Sequence, residues 1–466
     1  RRLAESVKRH LIGPVLETSV KRDRSSHRQS CPHAPNLLLK LSDEHRSLLH
    51  RLAGMADEQG VALYLVGGVV RDLLLHRKNL DLDLAVEGDG LAFARLVCRQ
   101  FRATSTLFEQ FSTARLRLPN GLKLDIASTR RESYAHAAAL PSVEPASVRE
   151  DLYRRDFTIN AMAIGLNAGT FGRLEDPFGG IRDLKAKTIR VLHHGSFQDD
   201  PTRIFRALRF AERFGFVIES ETRRLLAAAA ATDLVDRLSG PRLRNEIFLL
   251  LGEGRPDRMV ERLLRLKLLR FLHPGLQYGK TGRRVLKAIS FAGAWWEEQP
   301  GTRPLDVPLL RLMALLSQSS SSVNRAVAQR LQLSSTQALA LSYAGDLTTQ
   351  ALEELSGKRI LPSRVYRRLT GLPDEALVLL VAKARVSSDN QAAGRMVTRH
   401  LARYLRRDRR IEAAVGGDDL KKLGLKPGPR FKIILDRLLD ARIDGKVRSA
   451  AEERKLASRL VRESGG

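Results

Sequence analysis

The spacing of apolar and polar residues changes its period along this chain. Leu63 to Val66 is a short apolar run that predicts a strand, the pair Gly67 and Gly68 interrupts it, and Val69 to Leu75 then carries the spacing of a helix. Beyond a turn at Lys78 and Asn79, Leu80, Leu82 and Leu84 alternate with Asp81 and Asp83. Period two puts the leucines on one face of a strand and both carboxylates on the other. Helices are expected over Asp43 to Met55, with its acidic first turn, and Leu91 to Phe101. Short strands are expected near Ser105 to Phe111, Ala114 to Leu118 and Lys123 to Ile126, where Asp125 alternates with apolar neighbours. Phe157, Ile159 and Met162 read as core anchors of a further helix. After the turn cluster Asp176-Pro177-Phe178-Gly179-Gly180 strand signals nearly vanish, and helical periods run from Asp199 to Arg213, Glu219 to Ala231, Pro241 to Leu251 and Pro256 to Leu266. Everything beyond Asp199 is expected to be helical.

This pattern gives an α+β protein: a small α/β head followed by an all-helical neck, body and tail. The expected divisions are a basic arm over 1–40, the head over 41–165, the neck over 166–256, the body over 257–360 and a basic tail over 361–466.

Composition narrows the partners. The chain has 466 residues, enough for several modules, and 80 Lys and Arg against 52 Asp and Glu leave a net charge of +28 with a pI near 10.8. That excess calls for a polyanion, nucleic acid first. A membrane surface is the competing partner, but no apolar run reaches the roughly 18 residues needed to span a bilayer. Only Cys31 and Cys98 are present, which excludes a disulfide framework and a Cys-based zinc site and suits a reducing cytoplasm. The first 36 residues read as a basic arm or the remnant of an upstream segment. Glu5, Glu17 and Asp23 argue against a transit peptide.

The chemistry concentrates at residues 63–86. Gly67 and Gly68 let the backbone approach a phosphate, the following helix N-terminus attracts anions, and Arg71 adds a fixed cation. Asp81 and Asp83 are hard oxygen ligands suited to Mg²⁺. Taken singly, a Gly-Gly turn or an Asp-x-Asp on an edge strand is an ordinary solvated feature. Together and in this order they suit metal-dependent chemistry on a nucleoside triphosphate.

These residues resemble the head-domain motif of class II nucleotidyltransferases, the family of bacterial tRNA CCA-adding enzymes, their CC-adding and A-adding relatives, and bacterial poly(A) polymerases. Two later segments fit the same family: Asp151 to Ala163 (DLYRRDFTINAMA) and Phe197 to Phe216 (FQDDPTRIFRALRFAERFGF). The likeness is strong over 42–275 and looser over 416–447. It implies a nucleotidyltransferase head built on a mainly antiparallel sheet, with Mg²⁺ on Asp81 and Asp83. Asp125 either completes the catalytic carboxylates or is an exposed strand-end Asp. The resemblance also implies that Arg155 contacts the triphosphate, while Asp156 and Asn160 contact the ribose and favour its 2′-hydroxyl. Asp200 and Arg203 would read the incoming base, with Arg206 and Arg209 on the nucleotide.

Where the family often has Glu, Pro241 stands, which suits a first helical turn. The segment from Tyr134 to Ser147 lacks the arginine-rich loop of standard CCA-adding enzymes and looks more like the A-adding, multidomain branch. Near the end, Gly417 to Pro429 resembles that branch's tail. There Lys421, Lys422 and Lys426 either meet RNA phosphates or flank a plain helix cap. The expected activity is addition of AMP to the 3′ end of tRNA, from ATP, with use of CTP left open. A cytoplasmic location is expected, and the oligomeric state is not legible. A poly(A) polymerase and a non-catalytic RNA-binding protein on a transferase scaffold are the alternatives.

Overall fold

A computed structural model describes residues 35–77, 81–139, 141–357, 359–386 and 391–464. Most of the basic arm, Cys31 and the turn at Lys78 and Asn79 lie outside the described residues.

The head begins with α1 (Asp43–Glu58), capped by the Ser42 side chain, which accepts from the His45 amide. It continues through β1 (Ala62–Val66), α2 (Gly68–Leu74), β2 (Leu82–Glu87), α3 (Gly90–Phe101), β3 (Thr104–Phe108), β4 (Thr113–Arg117) and β5 (Lys123–Ser128). The hairpin β6 (Arg130–Ser133) and β7 (Ser142–Pro145), then α4 (Val148–Tyr153), lead to β8 (Ala163–Gly165) and β9 (Leu174–Glu175). Seven strands form one sheet in the order β3-β4-β5-β2-β1-β8-β9. Every pairing in it is antiparallel except β2 with β5. Alternation works as the sequence implied: Leu82, Leu84, Leu124 and Ile126 are almost fully buried, so the carboxylates between them face the other way.

Three expectations are corrected. Asp81 lies just before β2, because the strand starts at Leu82. Phe157, Ile159 and Met162 are fully buried but not on an α-helix. A 3₁₀ turn, Thr158–Asn160, carries the chain straight into β8, and the backbone groups it frees are used there, since the Gly67 amide donates to Met162 O at 3.1 Å. Beyond Asp199 the chain is not wholly helical either. β10 (Thr188–Ile189), which follows α5 (Gly180–Lys185), pairs in parallel with β11 (Val217–Ile218). A two-residue strand is too short to leave a periodic signal.

The neck contains α6 (Ser196–Asp199), α7 (Thr202–Phe214), α8 (Ser220–Ala230), α9 (Gly240–Gly252) and α10 (Pro256–Arg265). Pro241 sits in the first turn of α9, as its missing N–H permits. The helices α11 (Lys280–Glu297), α12 (Val307–Leu315), α13 (Ser321–Arg330), α14 (Ser335–Ser342) and α15 (Asp346–Leu355) follow in the residues expected as body, and α16 (Pro362–Leu369), α17 (Asp374–Val386) and α18 (Gln391–Arg406) in those expected as tail. α17 is buried nearly all round and packs against α11 and α18, which explains why it reads as a continuous apolar run from Ala376 to Ala382. One continuous apolar core runs from Leu37 to Leu405, through the head and the helices up to α18. The last helices, α19 (Gly417–Lys422), α20 (Pro429–Ile443) and α21 (Ala450–Ser464), enclose a small separate core of Val415, Leu420, Ile434, Leu438, Ala457 and Leu460.

Candidate active site

A polar cavity of about 710 Å³ lies between the head and the neck. Gly68, Arg71, Asp81, Asp83, Arg155, Asp156, Asn160, Asp200, Arg203, Arg206 and Arg209 all line it. Residues separated by more than a hundred positions in sequence share one wall because α7 packs against the segment that leads into β8, with Phe210 edge-on to Phe157 and Arg206 on Asp156.

Gly67 makes the turn between β1 and α2. Its φ of +75° is one that residues with a side chain adopt at a cost, and a Cβ placed there would lie 2.5 Å from Arg155 Nη1. Arg155 itself is steered by Asp151, which accepts from its Nη2 at 2.9 Å, while its buried Nε has no hydrogen-bond partner. The guanidinium is thus anchored at one end and short of an acceptor at the other.

Arg71 is bound inward rather than left loose. It donates to both oxygens of Asp72 at 2.9 and 3.0 Å and to Asn160 Oδ1 at 2.6 Å, and its guanidinium lies over the ring of Phe214. Asn160 donates in turn to Asp156 Oδ1 at 2.9 Å, and Arg206 clasps Asp156 Oδ2 through Nε and Nη2 at 2.8 and 2.6 Å. The chain Arg71, Asn160, Asp156, Arg206 ties α2 of the head to α7 of the neck. Burial alone pushes Asp156 upward, but Arg206 and Asn160 outweigh it and hold the carboxyl below its ordinary pKa.

Asp83 and Asp125 are register partners across the parallel pair β2 and β5. Burial pushes the Asp83 pKa up to about 6. Arg155 opposes this, while Asp125 and Asp81 add like charge. Asp125 stands at the outer edge of this set and makes a two-point ion pair with Arg115 at 3.0 and 3.1 Å. The donor set is all carboxylate oxygen, crowded with negative charge and partly desolvated, and so fits a hard divalent cation. Among the described residues no group of three or more His, Cys, Asp or Glu side chains is poised as a closed metal cage. Mg²⁺ in particular is commonly held by one or two carboxylates completed by water and substrate phosphates.

On the neck side Asp200 accepts at Oδ1 from the Thr202 amide at 2.9 Å, from Thr202 Oγ1 at 2.6 Å and from Arg242 at 2.7 Å. Arg203 is buried and donates to Ser196 Oγ at 2.8 Å and to the Arg154 carbonyl at 2.6 Å. Arg209 lies over Phe210, its Nε without a partner, and desolvation lowers its pKa.

Several lining residues were not singled out as site residues from the sequence: Glu132, Tyr134, Arg154, Arg213 and Arg242. Arg154 bridges the buried Glu132 and Asp151, and Tyr134 donates to Glu132 at 2.7 Å. Tyr134 was visible as the one aromatic residue at the head of the 134–147 segment, and Arg242 as the residue after the unusual Pro241. Neither carried a local signal for what it would touch. The tail lysines are remote from this cavity: Lys421 pairs with Asp418 at 2.7 Å, and none of the three lines it.

Residues 63–190 match the family description "Poly A polymerase head domain", and residues 215–279 match "Probable RNA and SrmB- binding site of polymerase A". An A-adding tRNA nucleotidyltransferase of Geobacter sulfurreducens is 39% identical over 89% of this chain and 47% of its own length, so the chain spans about half of that relative. The A-adding tRNA nucleotidyltransferase of Halalkalibacterium halodurans is 33% identical over 88% of this chain and 92% of its own. Among solved structures, a Thermotoga maritima CCA-adding enzyme complexed with tRNA superposes with a TM-score of 0.72 at 32% identity, covering 93% of this chain and 98% of that one. With near full-length likeness in sequence and in fold, and with a nucleotide-sized cavity where the shared motifs meet, the chain belongs to the tRNA nucleotidyltransferase and poly(A) polymerase family.

Proposed function

We propose that this chain is a template-independent RNA nucleotidyltransferase that adds AMP from ATP to the 3′ end of tRNA, releasing pyrophosphate. The observation that carries the reading is the single cavity in which carboxylates from the head face arginines from the neck. Such a cavity can hold a triphosphate at one end and a base at the other. The choice of AMP follows the A-adding relatives, and the choice of tRNA follows the same relatives and the net charge of +28.

In this reading Asp81 and Asp83 would hold Mg²⁺, with Asp125 as a third carboxylate beside them. Bound there, Mg²⁺ would supply the charge that lowers the pKa of an attacking 3′-hydroxyl and offsets charge on a leaving pyrophosphate. Arg155, anchored by Asp151 and lacking one acceptor, binds the phosphates across Gly67. Arg206 holds Asp156 ionised and Arg71 orients the Asn160 amide, and the two accept from or donate to the ribose. Asp200 and Arg203 read the base edge, the first as acceptor for an exocyclic amine and the second as donor. Arg209 stacks and donates beside them. Lys421, Lys422 and Lys426 meet RNA phosphates on the tail. A cytoplasmic site of action follows from a tRNA substrate. Among the described residues no helix is long and apolar enough to cross a membrane.

Purified chain with Mg²⁺, labelled ATP or CTP, and tRNAs ending before, within or just short of CCA would test this. One A added to tRNA ending in CC supports the proposal. CMP addition to tRNA lacking CCA makes it a full CCA-adding enzyme, and long A tails on unstructured RNA make it a poly(A) polymerase.

A further inference from the structure

A second cavity, of about 440 Å³, opens in the helical body between α11, α15 and α17, and it shares no lining residue with the nucleotide cavity. Lys383 of α17 forms part of its wall and is only 8% exposed. The Lys383 ammonium donates to the Gly345 carbonyl at 3.1 Å, to Thr348 Oγ1 at 2.7 Å and to Thr349 Oγ1 at 3.1 Å, all of them neutral acceptors. Among the described residues no carboxylate touches it. Asp346, exposed at the rim and accepting from Ser321 Oγ at 3.4 Å, acts on it only at longer range. Burial pushes the Lys383 pKa down to about 8, the mark of a cation with too little counter-charge.

A second observation points the same way. Ser317 also lines the cavity, is 6% exposed, and its Oγ has no hydrogen-bond partner. A buried hydroxyl left unpaired is unusual and wants an acceptor. Arg284 and Thr281 of α11 are exposed and line it too, as do Asp346 and Thr349 from the first turn of α15. Lys383 and Arg284 give two positive charges in the lining against the single negative charge of Asp346.

We propose that this body cavity binds a small phosphoryl anion, through Lys383, Ser317, Thr349 and Arg284. Hydroxyls, an ammonium and a guanidinium are groups that recognise such an ion. Its source is a free anion, either inorganic phosphate, pyrophosphate or the terminal phosphate of a mononucleotide. Lys383 and Ser317 are both buried, so a small free anion reaches them more readily than the backbone phosphate of an RNA duplex does.

The test uses the full chain and acetylation of Lys383 by acetic anhydride, quantified by peptide mass spectrometry. Saturating phosphate, pyrophosphate or AMP is expected to slow Lys383 acetylation at least five-fold. That protection is expected to vanish in Ser317→Ala and in Arg284→Ala, with ATP affinity at the head unchanged. The peptide readout separates this cavity from any phosphate bound near Arg155. Unchanged acetylation with all three probes overturns the proposal, as does protection by an RNA duplex alone. Protection that persists undiminished in both variants overturns it as well.

Discussion

Arg242 joins Asp200 to the loop that follows Tyr134. One guanidinium nitrogen lies 2.7 Å from Asp200 Oδ1, and another donates to the Ala138 carbonyl at 3.0 Å. Among the described residues every hydrogen bond to the Asp200 carboxylate goes to Oδ1, from Thr202 and Arg242, which leaves Oδ2 for an incoming donor. The orientation of the proposed base-reading carboxylate is therefore set by a residue 42 positions away. Arg242→Ala should lower kcat/KM for ATP by roughly 10- to 100-fold, the consequence of losing a charge-assisted hydrogen bond of about 1.5–3 kcal/mol. RNA affinity should stay near its starting value. Steady-state rates with each of the four NTPs check this, and an unchanged ATP rate in the variant would refute it.

The carboxylate assignment has its own test. Asp83→Ala or Asp81→Ala should reduce AMP transfer by at least about 1000-fold while tRNA binding persists, because metal-assisted charge stabilisation is lost and the distributed phosphate contacts are not. Asp125→Ala should cost less, since Asp125 already pairs with Arg115. Single-turnover rates beside filter-binding affinities separate the two effects. Substantial transfer by both the Asp81 and Asp83 variants would remove the metal assignment.

Gly67→Ala combines two faults in one methyl group. It strains a φ of +75° and displaces Arg155 Nη1, which lies 2.5 Å from the new Cβ position. The strain costs about 1 kcal/mol of stability. The displaced guanidinium should raise the KM for ATP more than it lowers kcat. Urea melts and ATP titrations measure the two effects; a normal KM would mean that Arg155 does not contact the triphosphate.

On the tail, replacing Lys422 or Lys426 with Ala should reduce the salt dependence of tRNA binding by about one unit of slope each, whatever the RNA sequence. Lys421→Ala should do less, because Asp418 already compensates its charge. Affinities measured over a range of KCl concentrations decide between phosphate contact and a plain helix cap, for which the slopes would not move.

Lys383 predicts a pH dependence of stability. Its folded pKa near 8 lies below the ordinary lysine value of 10.5, so between these limits the unfolded chain holds a proton that the folded chain has released. Stability gained from this group therefore rises with pH from about 8 to 10.5. In phosphate-free buffer Lys383→Met should lack that rise. Denaturation of both proteins at pH 7.5 and 10 reports the difference, and parallel pH curves would contradict the depressed pKa.

Much of the head was legible because strand alternation and turn glycines are local properties. Leu82, Leu84 and Asp83 could only face as they do once the segment was a strand, and Gly67-Gly68 could only be a turn before a helix. The arginines at 203, 206 and 209 were legible as a helical series, but their partners were not. The misread helix at Phe157 shows the limit of periodicity. Its three apolar residues are all buried, yet the backbone between them is used by Gly67 and by β8, which no spacing rule within the segment reveals.

By itself the sequence determined most elements of the head, a net charge of +28 that favours a polyanion, and which side chains could do the chemistry, since these depend on composition or on neighbours a few residues apart. Tertiary structure alone decided that Asp83 and Asp125 share a register, that Arg206 clasps Asp156 across 50 residues, and that Arg242 orients Asp200. Hydrogen bonds and charge pairs act over a few ångströms in space whatever the separation along the chain. Such contacts exist only after the sheet and the neck helices have packed.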